Sequence, residues 1–94
     1  MALKKFVIER DIPNAGSLDR EQLRAASGKS NGVLRQLGTD IQWVESYVTD
    51  NKIFCIYLGA NEAIIRKHAE LSGFPATKIY EVRKTIDPTT ERAD

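Results

Sequence analysis

The chain has 94 residues, 41% of them hydrophobic, with 14 basic against 13 acidic side chains and a formal charge of +1. Such a length allows one domain, near the size at which a core just sustains itself without disulfides or metal, and such a composition is globular. A charge this close to balance supplies no field to draw nucleic acid or an anionic bilayer, and no apolar run nears the roughly 20 residues of a membrane helix, so neither partner is expected.

Met1 leads directly into strand-forming residues with no apolar export segment, and Cys55 is the only cysteine, so no internal disulfide can form. Both features predict a cytoplasmic protein. The run from Leu3 to Arg10 is rich in strand formers and ends at the breaker cluster Ile12-Pro13-Asn14-Ala15-Gly16. A helix follows, capped by Ser17, with Asp19 and Glu21 in its first turn. Leu23, Ala26, Ser30, Val33 and Leu37 recur on one face, and Gly38 lies just past the end. Gly28 and Gly32 fall inside this helix, which predicts either a close approach by another element or a local irregularity.

Two strand-like runs, Ile41 to Thr49 and Lys52 to Gly59, flank Asp50-Asn51, a pair that tolerates the positive φ of a two-residue hairpin turn. Pairing Thr49 with Lys52 sets Tyr47 opposite Phe54, Glu45 opposite Ile56 and Trp43 opposite Leu58 on one side of the sheet. Val44, Ser46 and Val48 then share the other side with Ile53, Cys55 and Tyr57. A second helix opens at Asn61-Glu62, turns Ile64, Ile65, His68, Ala69, Leu71 and Ser72 inward, and closes at Gly73. Phe74-Pro75 ends it, Lys78 to Ile86 reads as the last strand, and 87–94 is a polar tail.

The order β, α, β, β, α, β predicts an α+β ferredoxin-like sandwich over residues 1–86, with a four-stranded antiparallel sheet and two helices on one of its faces. The other face, carrying Trp43, Tyr47, Phe54, Ile56 and Leu58, is too apolar to stay wet. A homodimer through that open face is the expected consequence.

No motif assigns a reaction. Gly28-Lys29-Ser30 resembles the end of a phosphate-binding loop, but position 23 is leucine where that loop has its first glycine, and the triplet lies in a helical pattern. RNA-recognition domains share the strand order, yet the basic residues here are scattered over several elements and not gathered with the aromatics. Cys55 sits mid-strand without a second cysteine and reads as packing. His68, the only histidine, falls at the edge of the inward stripe, where one ring nitrogen would meet solvent. Glu45, between Trp43 and Tyr47 on a face expected to be covered, needs a partner, water or a proton. Glu45, Tyr47 and His68 are therefore the candidate ligand-binding residues, with His68 the candidate metal ligand.

The stretch from Ile53-Phe54-Cys55-Ile56 through Ala60-Asn61-Glu62 to His68, Gly73 and Ile79-Tyr80-Glu81-Val82 resembles a bacterial family of small domains grouped with an actinobacterial nickel-responsive protein. The likeness spans most of residues 5–83. It implies a ferredoxin-like dimer and, in the nickel-responsive member, a histidine-rich surface nickel site. His68 matches a histidine of that member's second helix. Ser72 stands where it has another histidine, and Arg10 rather than a histidine ends strand one. The expected function is a small dimeric ligand- or metal-binding protein, with a divalent ion such as nickel as the candidate cofactor. The alternative is an enzyme of the dimeric ferredoxin-like barrel type acting on a small organic molecule by acid–base chemistry, with Glu45, Tyr47, Cys55, Tyr57 and His68 as possible participants.

Overall fold

Alternation in the first strand decides which side of the sheet becomes the core. In the computed structural model, which describes residues 2–92, β1 (Lys4–Asp11) buries Phe6, Ile8 and Arg10 on one side and leaves Lys5, Val7 and Glu9 on the other. Met1, where the expected domain begins, and Ala93 and Asp94, at the end of the expected tail, lie outside the described residues. Helix α1 (Arg20–Leu37) returns the chain to β2 (Ile41–Val48), which turns into β3 (Lys52–Gly59). Helix α2 (Glu62–Ser72) then leads to β4 (Lys78–Glu81).

The four strands lie in the order β2-β3-β1-β4, and each neighbouring pair is antiparallel. This is the ferredoxin-like βαββαβ sandwich. Phe6, Ile8, Ile41, Cys55, Tyr57 and Ile65 form the core between the sheet and the helices. Phe6 is 2% and Ile8 0% exposed, each worth about 1.5–3 kcal/mol of transfer free energy.

Both helices start on side-chain caps. Asp19, not Ser17, caps α1: its carboxylate accepts from Gln22 N at 2.8 Å while Gln22 Oε1 accepts from Asp19 N at 2.9 Å. Ser17 instead closes a 3-10 turn over Ala15–Ser17, its hydroxyl donating to Asn14 O. Asn61 caps α2 by accepting from Ile64 N at 3.0 Å.

The α1 glycines have no close neighbour to explain them, and the helix runs unbroken through both. A Cβ at Gly28 would meet nothing within 4 Å, and one at Gly32 would touch only the Arg35 guanidinium at 4.0 Å. Gly28→Ala and Gly32→Ala are each expected to raise stability by about 0.5–1 kcal/mol, read by thermal or urea unfolding, because alanine fits the helix and restricts the unfolded chain. Gly16 is different. A Cβ there would stand 3.0 Å from Asp50 Cα and Thr49 O, since Gly16 N donates to Asp50 O and binds the β1 exit loop to the hairpin.

The hairpin pairs Thr49 with Lys52 as predicted, but without positive φ at Asp50 or Asn51. The Thr49 hydroxyl accepts from Lys52 N at 3.1 Å and donates to Lys52 O at 2.8 Å, so a side chain closes the turn. The register holds from Val48 opposite Ile53 to Glu45 opposite Ile56, then shifts between Trp43 and Glu45. That β-bulge puts Trp43 opposite Tyr57 on the helix side, correcting the expected Trp43–Leu58 pair on the open face. The last strand is also shorter than the expected Lys78 to Ile86. Its final ladder bond is Val82 N to Lys5 O at 2.8 Å, and the polar Arg83-Lys84-Thr85 that follows has no apolar alternation to bury.

Near the end of the described residues is an exposed 3-10 turn, Pro88–Glu91, capped by Asp87. Removing residues 87–94 is expected to leave the thermal midpoint within a few degrees. A larger drop would show that the tail packs on another surface.

Candidate functional site

Helix α1 and the segment after α2 meet above the helix-facing side of the sheet and leave a cavity of about 370 Å³. Its floor comes from Arg10 of β1, Cys55 and Tyr57 of β3, and Trp43 and Ser46 of β2. Helix α1 closes one side with Leu23, Ala26, Ser27 and Ser30, and Phe74-Pro75 after α2 closes another. The wall is almost wholly apolar. The bulge in β2 is what adds Trp43 to it, with the indole stacked on Tyr57 at 6.5 Å and 18° and its Nε1 donating to Ser46 Oγ at 2.9 Å.

Arg10 is the charged group of this cavity. It is 2% exposed, its Nε donates to Cys55 Sγ at 3.4 Å, and its Nη1 donates to Pro75 O at 2.9 Å. The guanidinium also lies 5.7 Å from the centre of the Phe74 ring, within range of a cation–π attraction. Among the described residues no carboxylate lies within ion-pairing distance of it. A buried cation with a sulfur and a carbonyl as its acceptors is costly to maintain, because neither neutralises its charge.

A second polar chain runs inward from the cavity wall. The Tyr57 hydroxyl and Ser30 Oγ are 3.3 Å apart, and Ser30 Oγ is 3.1 Å from His68 Nε2, with the donor at each link set by the histidine tautomer. His68 also stacks at a tilt against Tyr57, the ring centres 5.1 Å apart. Burial pushes the His68 imidazole below its ordinary value, and the nearby Arg10 cation acts in the same direction. Burial pushes the Tyr57 phenol up, opposed by the Ser30 hydroxyl and Arg10.

The expected site residues do not meet. Glu45 and Tyr47 stand on the open face, where the Tyr47 hydroxyl donates to Glu45 Oε2 and that bond raises the phenol's pKa. His68 lies on the buried side of α2, across the sheet from them. The expected half-exposed imidazole is also corrected: its residue is 1% exposed, with Tyr57 packed against the ring and Ser30 at its Nε2. Arg10 carries no histidine or carboxylate signal, although Phe6, Ile8 and Arg10 share one phase of a strand. Ser30 had its own signal, standing in phase with the apolar stripe of α1.

Residues 6–82 match the family model described as nickel responsive protein SCO4226-like. The chain belongs to this SCO4226-like family. The crystal structure of SCO4226 from Streptomyces coelicolor A3(2) superposes with a TM-score of 0.74 at 17% identity, covering 87% of this chain and 99% of that one. That likeness carries the fold. No curated protein matches the sequence. Among the described residues no three histidine, cysteine or acidic side chains gather into a metal-ligating group. The lone imidazole is sealed and its Nε2 is engaged by Ser30, so the residues of one protomer do not fit a nickel centre.

Proposed function

We propose that this member of the SCO4226-like family is a homodimeric small-molecule-binding protein of the cytoplasm, whose ligand sits in the cavity between α1 and the sheet. The observation that carries the reading is the cavity itself. At about 370 Å³ it falls in the range of small-ligand pockets, and a few convergent polar groups stand in an apolar wall, the composition such pockets share. The unpaired open face, with Val7, Phe54, Ile56 and Leu58 between the half-exposed Tyr47 and Tyr80, supports pairing with a second copy. A single buried cysteine supports the reducing compartment.

Native mass spectrometry of protein purified from cells tests the cavity reading. The expected result is an added small-molecule mass that Ala26→Phe, which fills the cavity from α1, removes. Protein without added mass, whose Trp43 fluorescence responds to no ligand in a small-molecule screen, would overturn it. Nickel, in the family's name, is the competing ligand. Calorimetric titration is expected to show no nickel binding that depends on His68, and tight binding abolished by His68→Ala would restore the metal reading.

The Tyr57–Ser30–His68 chain favours one second reading, acid–base catalysis on a molecule held in the cavity. Turnover of a bound compound that Tyr57→Phe abolishes while binding persists would establish it.

A further inference from the structure

We infer that the cavity's ligand is a small organic monocarboxylate whose anion is held by the Arg10 guanidinium while its apolar body lies against Trp43, Leu23 and Ile53. The inference rests on the ligand-binding reading above and adds the chemical class. Arg10 lines the cavity, is 2% exposed, and makes its two hydrogen bonds to Cys55 Sγ and Pro75 O, neither a carboxylate. A guanidinium in so apolar a wall lacks the counter-charge that buried cations ordinarily have. The same planar fork of N–H groups matches a carboxylate in geometry as well as in sign.

The charge balance selects among anions. Among the described residues Arg10 is the one charged group lining the cavity, so a single negative charge neutralises it. A phosphate dianion would leave surplus charge among carbon atoms and more acceptor oxygens than the wall has donors. Of the other lining hydroxyls, Ser30 is engaged by Tyr57 and His68 and Ser46 by Trp43, which leaves that of Ser27 as the one uncommitted among the described residues. The rest of the ligand must therefore be mainly hydrocarbon, and the volume limits it to a small molecule.

The test uses 4-phenylbutanoate and its neutral twin 4-phenylbutanamide, titrated by calorimetry and by the fluorescence of Trp43, the only tryptophan. The full chain is compared with Arg10→Met, Arg10→Lys and Ala26→Phe. The acid is expected to bind the wild type about ten- to a hundredfold more tightly than the amide, as a hydrogen-bonded charge does over a neutral group. Arg10→Met should erase that preference, and Arg10→Lys should keep a reduced one. Equal affinity for acid and amide, with both lost in Ala26→Phe, would overturn the carboxylate and leave the cavity reading standing. Binding that survives Ala26→Phe would overturn both, and no binding of either compound at millimolar concentration would overturn the carboxylate while the native mass decides the cavity reading. Should Arg10→Met fail to fold by circular dichroism, the acid-to-amide ratio of the wild type decides alone.

Discussion

His68→Ala is expected to lower the stability of the folded protein by about 2–4 kcal/mol, a fall in Tm of roughly 10–20 °C for a domain of this size. The ring is 1% exposed and packs on Tyr57, so its removal opens a void that the surrounding core closes only in part. Ser30, itself 3% exposed, loses its link to Nε2 and keeps only Tyr57. The same residue makes stability depend on pH. Burial holds the folded imidazole below its ordinary value, whereas the unfolded chain takes up a proton near pH 6.5. The unfolded state thus binds more protons over that range. The stabilisation is full above the unfolded value and is lost as pH falls from there toward the lowered folded value. Thermal unfolding between pH 7.5 and 5.5 should show this slope in the wild type and a flatter one in His68→Gln, which leaves the chain without histidine. A flat wild-type profile, or an equal slope in His68→Gln, would defeat the assignment.

The elements were legible from local signals: the strand formers from Leu3 to Arg10, and Leu23, Ala26, Ser30 and Val33 at steps of three and four. Lys52 to Gly59 and the Asn61 and Gly73 caps were read with their boundaries correct. Trp43 was assigned to the wrong face because one extra residue in a strand inverts every side chain beyond it, and no turn residue marks the bulge. The site was less legible still. Arg10 looks like a solvated strand end, and its burial depends on Pro75, 65 positions along the chain, and on Cys55, 45 positions away. His68 reads as the flank of an amphipathic helix. Only the packing of α1, which brings Ser30 across to its Nε2, reveals that the ring is enclosed. Periodicity gives a residue's phase on its own element, while a site depends on which elements meet.

The proposed dimer is expected to dissociate on Ile56→Asp, with the dissociation constant rising by roughly a hundredfold or more. Ile56 pairs with Val7 on one side and Glu45 on the other, and Val7 pairs onward with Tyr80, so it stands at the centre of the open face. A carboxylate there is solvated in the monomer and would be desolvated without a counter-ion at a two-fold interface, twice over because each copy brings one. The larger cost falls on association: the helix-side core of Phe6, Ile8, Tyr57 and Ile65 is untouched, and within the monomer the new carboxylate only meets Glu45 across the strand pair, a repulsion of about 0.2–1 kcal/mol. Light scattering at micromolar concentration should give twice the monomer mass for the wild type and the monomer mass for Ile56→Asp, with the circular dichroism of the two alike. The Tyr47–Glu45 pair lies beside this centre, so Tyr47→Phe, which removes only the hydroxyl, should weaken the dimer far less. A wild type that is monomeric at every concentration, or an Ile56→Asp protein that stays dimeric, would exclude the open sheet face as the interface.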